Sequence, residues 1–466
     1  MKKQIKIVAL AAVALLSVSA MAGATDINLY GSSAQYPYWA TQAQDFMTRQ
    51  LTCTGYTNTY GTTSTGVTPS GLPSGVSCYA TEGTGCSTSL TSGTVNFRYC
   101  SNSSVTGILA VAGQGLPLNN PAISGDPDGC NGGANTNLRK MVNPDATESV
   151  SCQPVSAGVS DVAGEAFTQA SSGNKLGPLG GGAFSASYTG INTSALGLTA
   201  TNTVVTPFAF FVNNAVTATH CTAGLVGNLC TSNAQCNSQA TATDGVCNTT
   251  ATTINNLSRL EAVLLFSSQV SDWSFLGGYY TAQPVVLCLR HAGSGTHATL
   301  NYAVMNPTWG ASLPSTQSAG PPIVWFNNAT GDEENCINGD TSATGSGTGA
   351  GSAIGAVGYA DAFVPFGPTL GVSGKSQNIA QVKYQGFWPT RTHIRNGQYD
   401  FYAVSYLYTL GTPSTLLNNL ITYAKNPAYI PTSLANYWPA QSEMWFMKAN
   451  DFSYPVPANA TNGQTP

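Results

Sequence analysis

Residues 285–298 read Val-Val-Leu-Cys-Leu-Arg-His-Ala-Gly-Ser-Gly-Thr-His-Ala. A short apolar run with no polar alternation is the pattern of a strand covered on both faces, as in a parallel sheet between helices. The run ends at Arg290, and Gly293-Ser294-Gly295-Thr296 then opens a stretch with helical character. At a helix start the backbone N–H groups point outward with a positive partial charge; the glycines allow close approach, and Ser294 and Thr296 add hydroxyls. Arg290 contributes a planar fork that matches an oxyanion. Strand, arginine, loop and helix in that order predict an anion cradle. The tetrapeptide alone predicts nothing, because Gly345-Ser346-Gly347-Thr348 repeats it inside a low-complexity run with no strand and no arginine before it.

Working outward, Ile27–Tyr30, Val95–Tyr99, Val204–Val212 and Pro284–Leu289 read as strands. Tyr38–Met47, Leu257–Phe266 and Thr299–Met305 read as helices. Alternating strands and helices predict an α/β architecture with a parallel or mixed sheet. Between them lie Gly/Ser/Thr-rich stretches near 55–92, 112–150, 170–200, 217–253 and 338–352, which read as long insertions. Loops of that length are uncommon unless functional or externally held. No fixed-period repeat is present, so solenoids and propellers are disfavoured.

Only 8% of the 466 residues are charged, against roughly a quarter in ordinary soluble domains. The net charge is -4, and no Lys/Arg cluster occurs beyond the first six residues, so the sequence lacks the electrostatic footprint of a nucleic-acid or anionic-lipid binder. Lys2, Lys3 and Lys6 precede the apolar run Ile7–Leu16 and small residues ending at Ala22 and Ala24, the pattern of a secretory signal peptide over 1–24. No later apolar stretch is long enough to span a bilayer. The twelve cysteines form no C-x-x-C pair, and an even count in an exported chain predicts disulfides instead of zinc or iron–sulfur ligation. Cys221, Cys230, Cys236 and Cys247 crowd one polar stretch and predict a knot of two bridges. Cys288, inside an apolar run, reads either as a buried free thiol or as a partner to a distant loop. There is no G-x-S-x-G elbow, H-E-x-x-H, Walker A or dinucleotide fingerprint, and the four histidines are scattered. No catalytic residue, metal site or cofactor is predicted.

Several segments together resemble the phosphate-specific periplasmic binding proteins of ABC transporters, including the DING relatives. Tyr30-Gly-Ser-Ser-Ala-Gln-Tyr-Pro37 is similar to the family's opening Gly-rich loop ending in Thr-Phe-Pro. Val95-Asn96-Phe97 followed by Ser101-Asn102-Ser103-Ser104 is similar to its Asn-Tyr strand and Ser-Ser-Gly-Gly loop. Gly158-Val159-Ser160-Asp161 is similar to Gly-Ala-Ser-Asp, and Arg290–Thr296 to Arg-x-x-Gly-Ser-Gly-Thr. Ile354–Tyr359 is similar to the family's Ile-Gly-Tyr strand, and Asp272-Trp273 to a Trp after the second-domain helix. All occur in family order across most of the chain. Three departures stand out: Gln35 replaces Thr, Ser103-Ser104 lacks the two glycines, and Ala292 replaces an acid beside the arginine.

The resemblance implies a two-lobed type II periplasmic-binding-protein fold with the disulfide-containing insertions as loops. Lobe 1 would span 25–210 and 392–466, and lobe 2 would span 211–391 with a Cys-rich insertion around 217–253. The ligand would be inorganic phosphate or a similar tetrahedral oxyanion, held by Gln35, Tyr36, Ser103, Asp161, Arg290, Ser294, Gly295 and Thr296. An ABC permease would be the partner, in the periplasm or outside the cell, and the chain would not be an enzyme. Two readings compete. One is an extracellular structural or interaction protein on the same fold, suggested by the low charge and disulfide-held insertions. The other is a phosphatase, which lacks an evident metal cluster or activated nucleophile. Among the Ser101, Ser103 and Ser104 hydroxyls the sequence does not choose. Asp161 also has a plain reading as a helix N-cap.

Overall fold

The computed structural model describes residues 25–60, 72, 76–114, 130, 136–145, 147, 149–238, 240–307, 310–339, 354–363 and 378–458. The signal-peptide segment and the second Gly-Ser-Gly-Thr lie outside these residues.

The chain opens with β1 (Thr25–Gly31), α1 (Tyr36–Arg49), β2 (Gly55–Tyr60), β3 (Ser77–Ser87), β4 (Ser92–Ser101) and α2 (Ser104–Val111). It continues through β5 (Ala157–Ser160), β6 (Leu198–Asn213), α3 (Arg259–Phe266), β7 (Val286–Arg290), α4 (Gly295–Thr299), β8 (Ile323–Asn327), α5 (Thr330–Asn338) and β9 (Ala356–Asp361). It closes with β10 (Ile379–Tyr384), β11 (Tyr402–Leu410) and α6 (Thr415–Ala424). One large mixed sheet runs in the order β8-β7-β9-β6-β11-β5-β1-β4-β3-β2, with β10 also paired to β6. β1 runs parallel to both β4 and β5, and β7 runs parallel to both β8 and β9. The architecture is α/β, as the alternation of apolar runs predicts.

The sixteen-residue β6 joins the two parallel blocks. Up to Pro207 it pairs antiparallel with β11, and from Phe208 onward it pairs with β9. Proline has no N–H to give a ladder. It therefore sits where the strand changes partners, and the next donor, Phe208 N–H, goes to the Phe401 carbonyl at 3.1 Å. Because strand side chains alternate between faces, each face of the sheet has its own core. One packs α1 and α6 through Tyr38, Trp39, Phe46 and Leu420, together with Trp438 beyond α6, against Leu29 and Phe97. The other gathers Ile108, Phe210, Phe266, Leu287, Tyr359 and Phe401.

Several of the expected insertions contain regular structure. The stretch 55–92 holds β2 and the eleven-residue β3, paired antiparallel to each other and to β4. Its Gly- and Thr-rich composition hides the strands because cross-strand pairing and the bridges Cys53–Cys86 and Cys78–Cys100 hold them, not an apolar run of their own. Within 170–200, Ala170–Asn174 and Ala183–Ser187 form a hairpin. The helix expected over 299–305 is the short α4 followed by one π-helical stretch, Leu300–Met305.

All twelve cysteines are paired. Cys221–Cys236 and Cys230–Cys247 form the expected knot, Cys130 pairs with Cys152, and Cys288 pairs with Cys336. The sulfurs of Cys221, Cys230 and Cys236 lie within 4.8 Å of one another because two bridges stack, so none is a thiolate free to ligate a metal. Among the described residues no helix is long and apolar enough to cross a membrane.

Candidate functional site

The site lies where the carboxyl ends of the parallel strands meet, the usual place for a ligand in an open α/β sheet. β1 delivers Ser32 to Gln35, β4 delivers Ser103 and Ser104, and β5 delivers Asp161; β7 and β8 deliver Arg290 and the Asn328–Thr330 turn. Gly31, at φ +147°, starts the first loop, and a Cβ there would lie 2.0 Å from the Val159 carbonyl oxygen. Only glycine lets β1 bend so close to β5.

Asp161 is 1% exposed and is the hub of the first half. Its Oδ1 accepts from Ser32 Oγ at 2.6 Å and Gln35 Nε2 at 3.0 Å, and its Oδ2 accepts from Ser104 Oγ at 3.0 Å. Burial raises its pKa, opposed by those three donors and by the Arg290 charge. Gln35 is locked further: its amide also donates to the Ser160 carbonyl, and its oxygen accepts from Trp39 Nε1 at 3.1 Å. Of the adjacent serines, Ser103 caps α2 in a capping box with Thr106, whereas Ser104 reaches Asp161. The Tyr36 hydroxyl donates to the Cys78 carbonyl at 3.2 Å, so it is spent on β3 instead of joining this cluster.

Arg290 is the hub of the second half. Its residue is 1% exposed, and its backbone N–H donates to the Tyr359 hydroxyl at 3.0 Å. The guanidinium donates from Nη1 to Thr330 Oγ1 at 2.9 Å and Ser33 Oγ at 3.3 Å, and from Nη2 to the Asn328 carbonyl at 3.0 Å. Its Nε has no partner, and it forms no ion pair among the described residues. His291 and His297 are buried and held near pKa 3, first by desolvation and then by the Arg290 charge, so both are neutral at pH 7. His297 Nδ1 lies 2.7 Å from the Tyr359 hydroxyl.

The two halves touch. Val105 N–H donates to the Gly293 carbonyl at 3.2 Å, and Ser33 is shared with Arg290. A Cβ at Gly295 would fall 2.3 Å from Ser104 Oγ and 2.6 Å from Asp161 Oδ2. Ser294 and Thr296 are both buried at the start of α4, and Thr296 follows Gly295 directly. The structure thus brings Gln35, Asp161, Arg290, Ser294, Gly295 and Thr296 to one locality, with Ser103 capping a helix at its edge. Sequence reasoning missed Ser32, Ser33 and Thr330, and it did not choose Ser104. A position directly after an apolar strand is the signal they share, but in a chain this rich in Ser and Thr it does not single them out.

No family model matches the chain, and no curated protein matches it. Among solved structures it is similar to the high-affinity periplasmic phosphate-binding protein PfluDING bound with phosphate, at 15% identity over 94% of this chain and 98% of that one, TM-score 0.44. It is similar to a phosphate-binding protein from Stenotrophomonas maltophilia at 13% identity over 94% and 97%, TM-score 0.39. It is also similar to PstS from Borrelia burgdorferi at 8% identity over 88% and 97%, TM-score 0.34.

Proposed function

We propose that this protein is an exported solute-binding protein that captures inorganic phosphate, or a closely similar tetrahedral oxyanion, between two lobes for ABC-type uptake. The lobes in this reading are 25–210 with 392–466, and 211–391. The observation that carries it is the environment of Arg290. Burying a cation costs several kcal/mol unless an opposite charge compensates it. Arg290 is buried with two hydroxyls and one carbonyl for company, and one of those hydroxyls belongs to the facing half. Arg139 is also buried, but its contacts are all backbone carbonyls close along the chain or on one neighbouring turn, which marks a structural arginine. An oxyanion supplies the charge that Arg290 lacks, and the hydroxyls and N–H groups around it supply further donors.

Asp161 adds selectivity. A carboxylate facing the ligand favours an anion that still carries a proton, so phosphate and arsenate fit where sulfate would set two acceptors against each other. The scheme makes and breaks no covalent bond, so binding, not catalysis, is the activity it describes. A second reading, a surface structural or interaction protein on this fold, draws on one observation: the donors around Asp161 are already engaged by Asp161 itself. Calorimetric titration with phosphate and sulfate separates the two. Tight phosphate binding with much weaker sulfate binding supports capture; no heat with either anion supports the structural protein.

A further inference from the structure

We propose that Thr330, with the Asn328 carbonyl beside it, is the positioning residue of Arg290: it fixes the guanidinium through neutral acceptors, so that the whole charge of the fork is left for the captured anion. The inference deepens the anion-capture reading above and rests on it. Its geometry begins with strand register. β7 and β8 run parallel, and Arg290 stands opposite Asn327, the last residue of β8. The chain then turns through Asn328 and Ala329 and enters α5 at Thr330, so the turn after β8 meets the side chain that ends β7. Nη1 of Arg290 donates to Thr330 Oγ1 at 2.9 Å, and Nη2 donates to the Asn328 carbonyl at 3.0 Å, one acceptor for each terminal nitrogen. Ser33 Oγ, from the facing half, lies further from both, at 3.3 and 3.4 Å. The turn is itself held to β7. His291 N–H donates to the Asn327 carbonyl at 3.2 Å, Asn327 Nδ2 donates to the Leu289 carbonyl at 3.0 Å, and the Cys288–Cys336 bridge ties α5 to the same strand.

The neutrality of these acceptors sets Arg290 apart. Arg49, Arg98, Arg259, Arg391 and Arg395 each pair with a carboxylate. Acids stand close to Thr330 in the chain as well, since Asp332 and Glu333 belong to the first turn of α5, but their oxygens serve other groups. Asp332 Oδ2 accepts from Ala329 N–H at 2.9 Å, and the buried Glu333 accepts through Oε1 from Tyr359 N–H at 3.2 Å. Ala292, in the loop after β7, carries no carboxylate. A carboxylate would orient the guanidinium as firmly as a hydroxyl does, but it would also cancel the charge, and a second anion would then meet a neutral pair. A hydroxyl and a carbonyl only accept the hydrogen bonds and leave the charge uncancelled. Anchoring also lowers the cost of binding, because the rotamer freedom of a long side chain is already lost before the ligand arrives.

The test is calorimetric titration with inorganic phosphate of the wild type and variants at Thr330, joined to nitrogen NMR of the guanidinium. Thr330→Val keeps the shape and removes the acceptor, so phosphate affinity should fall about tenfold, and Thr330→Ser should restore it to within about twofold. In the phosphate-free proteins, rotation of the Arg290 guanidinium, assigned by loss of its signals in Arg290→Met, should be about tenfold faster in Thr330→Val than in the wild type or Thr330→Ser, a readout that a purely structural role for Thr330 in α5 would not move. Thr330→Asn and Thr330→Asp share a shape and both accept from Nη1, but only the aspartate cancels the charge, so it should bind phosphate at least about thirtyfold more weakly than the asparagine variant. Phosphate binding as tight in Thr330→Val as in the wild type, or as tight in Thr330→Asp as in Thr330→Asn, or guanidinium rotation unchanged in Thr330→Val, overturns the positioning role and leaves the capture reading standing. No phosphate binding by the wild type overturns the capture reading and this role with it.

Discussion

Replacing Arg290 by methionine keeps the apolar stem and removes the charge, and the structure predicts effects of opposite sign on binding and on stability. On binding, the loss is a charge-assisted fork on the ligand. Hydrogen bonds to charged groups are worth about 1.5–3 kcal/mol each, so losing the better part of two costs about 3 kcal/mol, roughly 150-fold in Kd. On stability, the guanidinium is 1% exposed, with an unpartnered Nε and no ion pair among the described residues. Removing a poorly compensated buried charge is neutral or stabilising, even though Thr330 and the Asn328 carbonyl each lose a donor. Arg98 is the control: it is also buried, but its Nη1 is 3.2 Å from Asp26 and 3.1 Å from Asn28 Oδ1 on the neighbouring strand. Arg98→Met should therefore lower stability by about 1–2 kcal/mol and leave Kd unchanged. Calorimetric titration with phosphate and thermal melts of the phosphate-free proteins give both numbers. If Arg290→Met lowered the melting temperature as Arg98→Met does and left affinity intact, Arg290 would be a structural arginine and the capture reading would fail.

Further outcomes follow from contacts elsewhere. Gly295→Ala places a methyl 2.3 Å from Ser104 Oγ and 2.6 Å from Asp161 Oδ2, so it should weaken phosphate binding at least tenfold by holding the halves apart and should also lower the melting temperature of the phosphate-free protein, in which the halves already meet; unchanged affinity would mean that the halves need not meet. Asp451 is buried with its pKa raised to about 6, mainly by desolvation, and its Oδ2 accepts from Ala163 N–H at 2.7 Å. A carboxyl raised in the folded state contributes most stability below its unfolded value and loses it as pH rises toward 6, on the order of 2–3 kcal/mol in all; urea melts from pH 4 to 7 should show that slope in the wild type and lose it in Asp451→Asn. Removing the Cys288–Cys336 bridge, which closes a separation of 48 residues, should cost about 4 kcal/mol of stability by the chain-entropy model, measured by denaturant melts of the double serine variant.

How much of this was readable beforehand depends on whether a residue's neighbours are local or distant. β7 and its following loop were legible because their signal is local: an unbroken apolar strand, an arginine at its end, then Gly-Ser-Gly-Thr. The helix Arg259–Phe266 was legible for the same reason, and its capping box between Ser258 and Glu261 lies within four residues. β2 and β3 were hidden because their stability comes from pairing with β4, thirty or more residues from the start of β2. Gln35 and Asp161 were legible only as members of an ordered set of motifs, since their mutual hydrogen bond joins residues 126 apart. Glu333 is the clearest case of the remainder. In the sequence it is one acid in Thr-Gly-Asp-Glu-Glu-Asn-Cys, indistinguishable from the solvent face of an ordinary helix. What turns it inward is the bridge from Cys336 to Cys288, because a covalent bond three residues further on fixes which face of α5 meets β7. The sequence left that pairing open between a free thiol and a distant partner. Arg290 stands between these cases: its strand and loop are local signals, but the lack of an acid partner among the described residues emerges only when the β1 loop, α5 and β7 meet around it, and that lack is why titration with an anion tests what the site was built to hold.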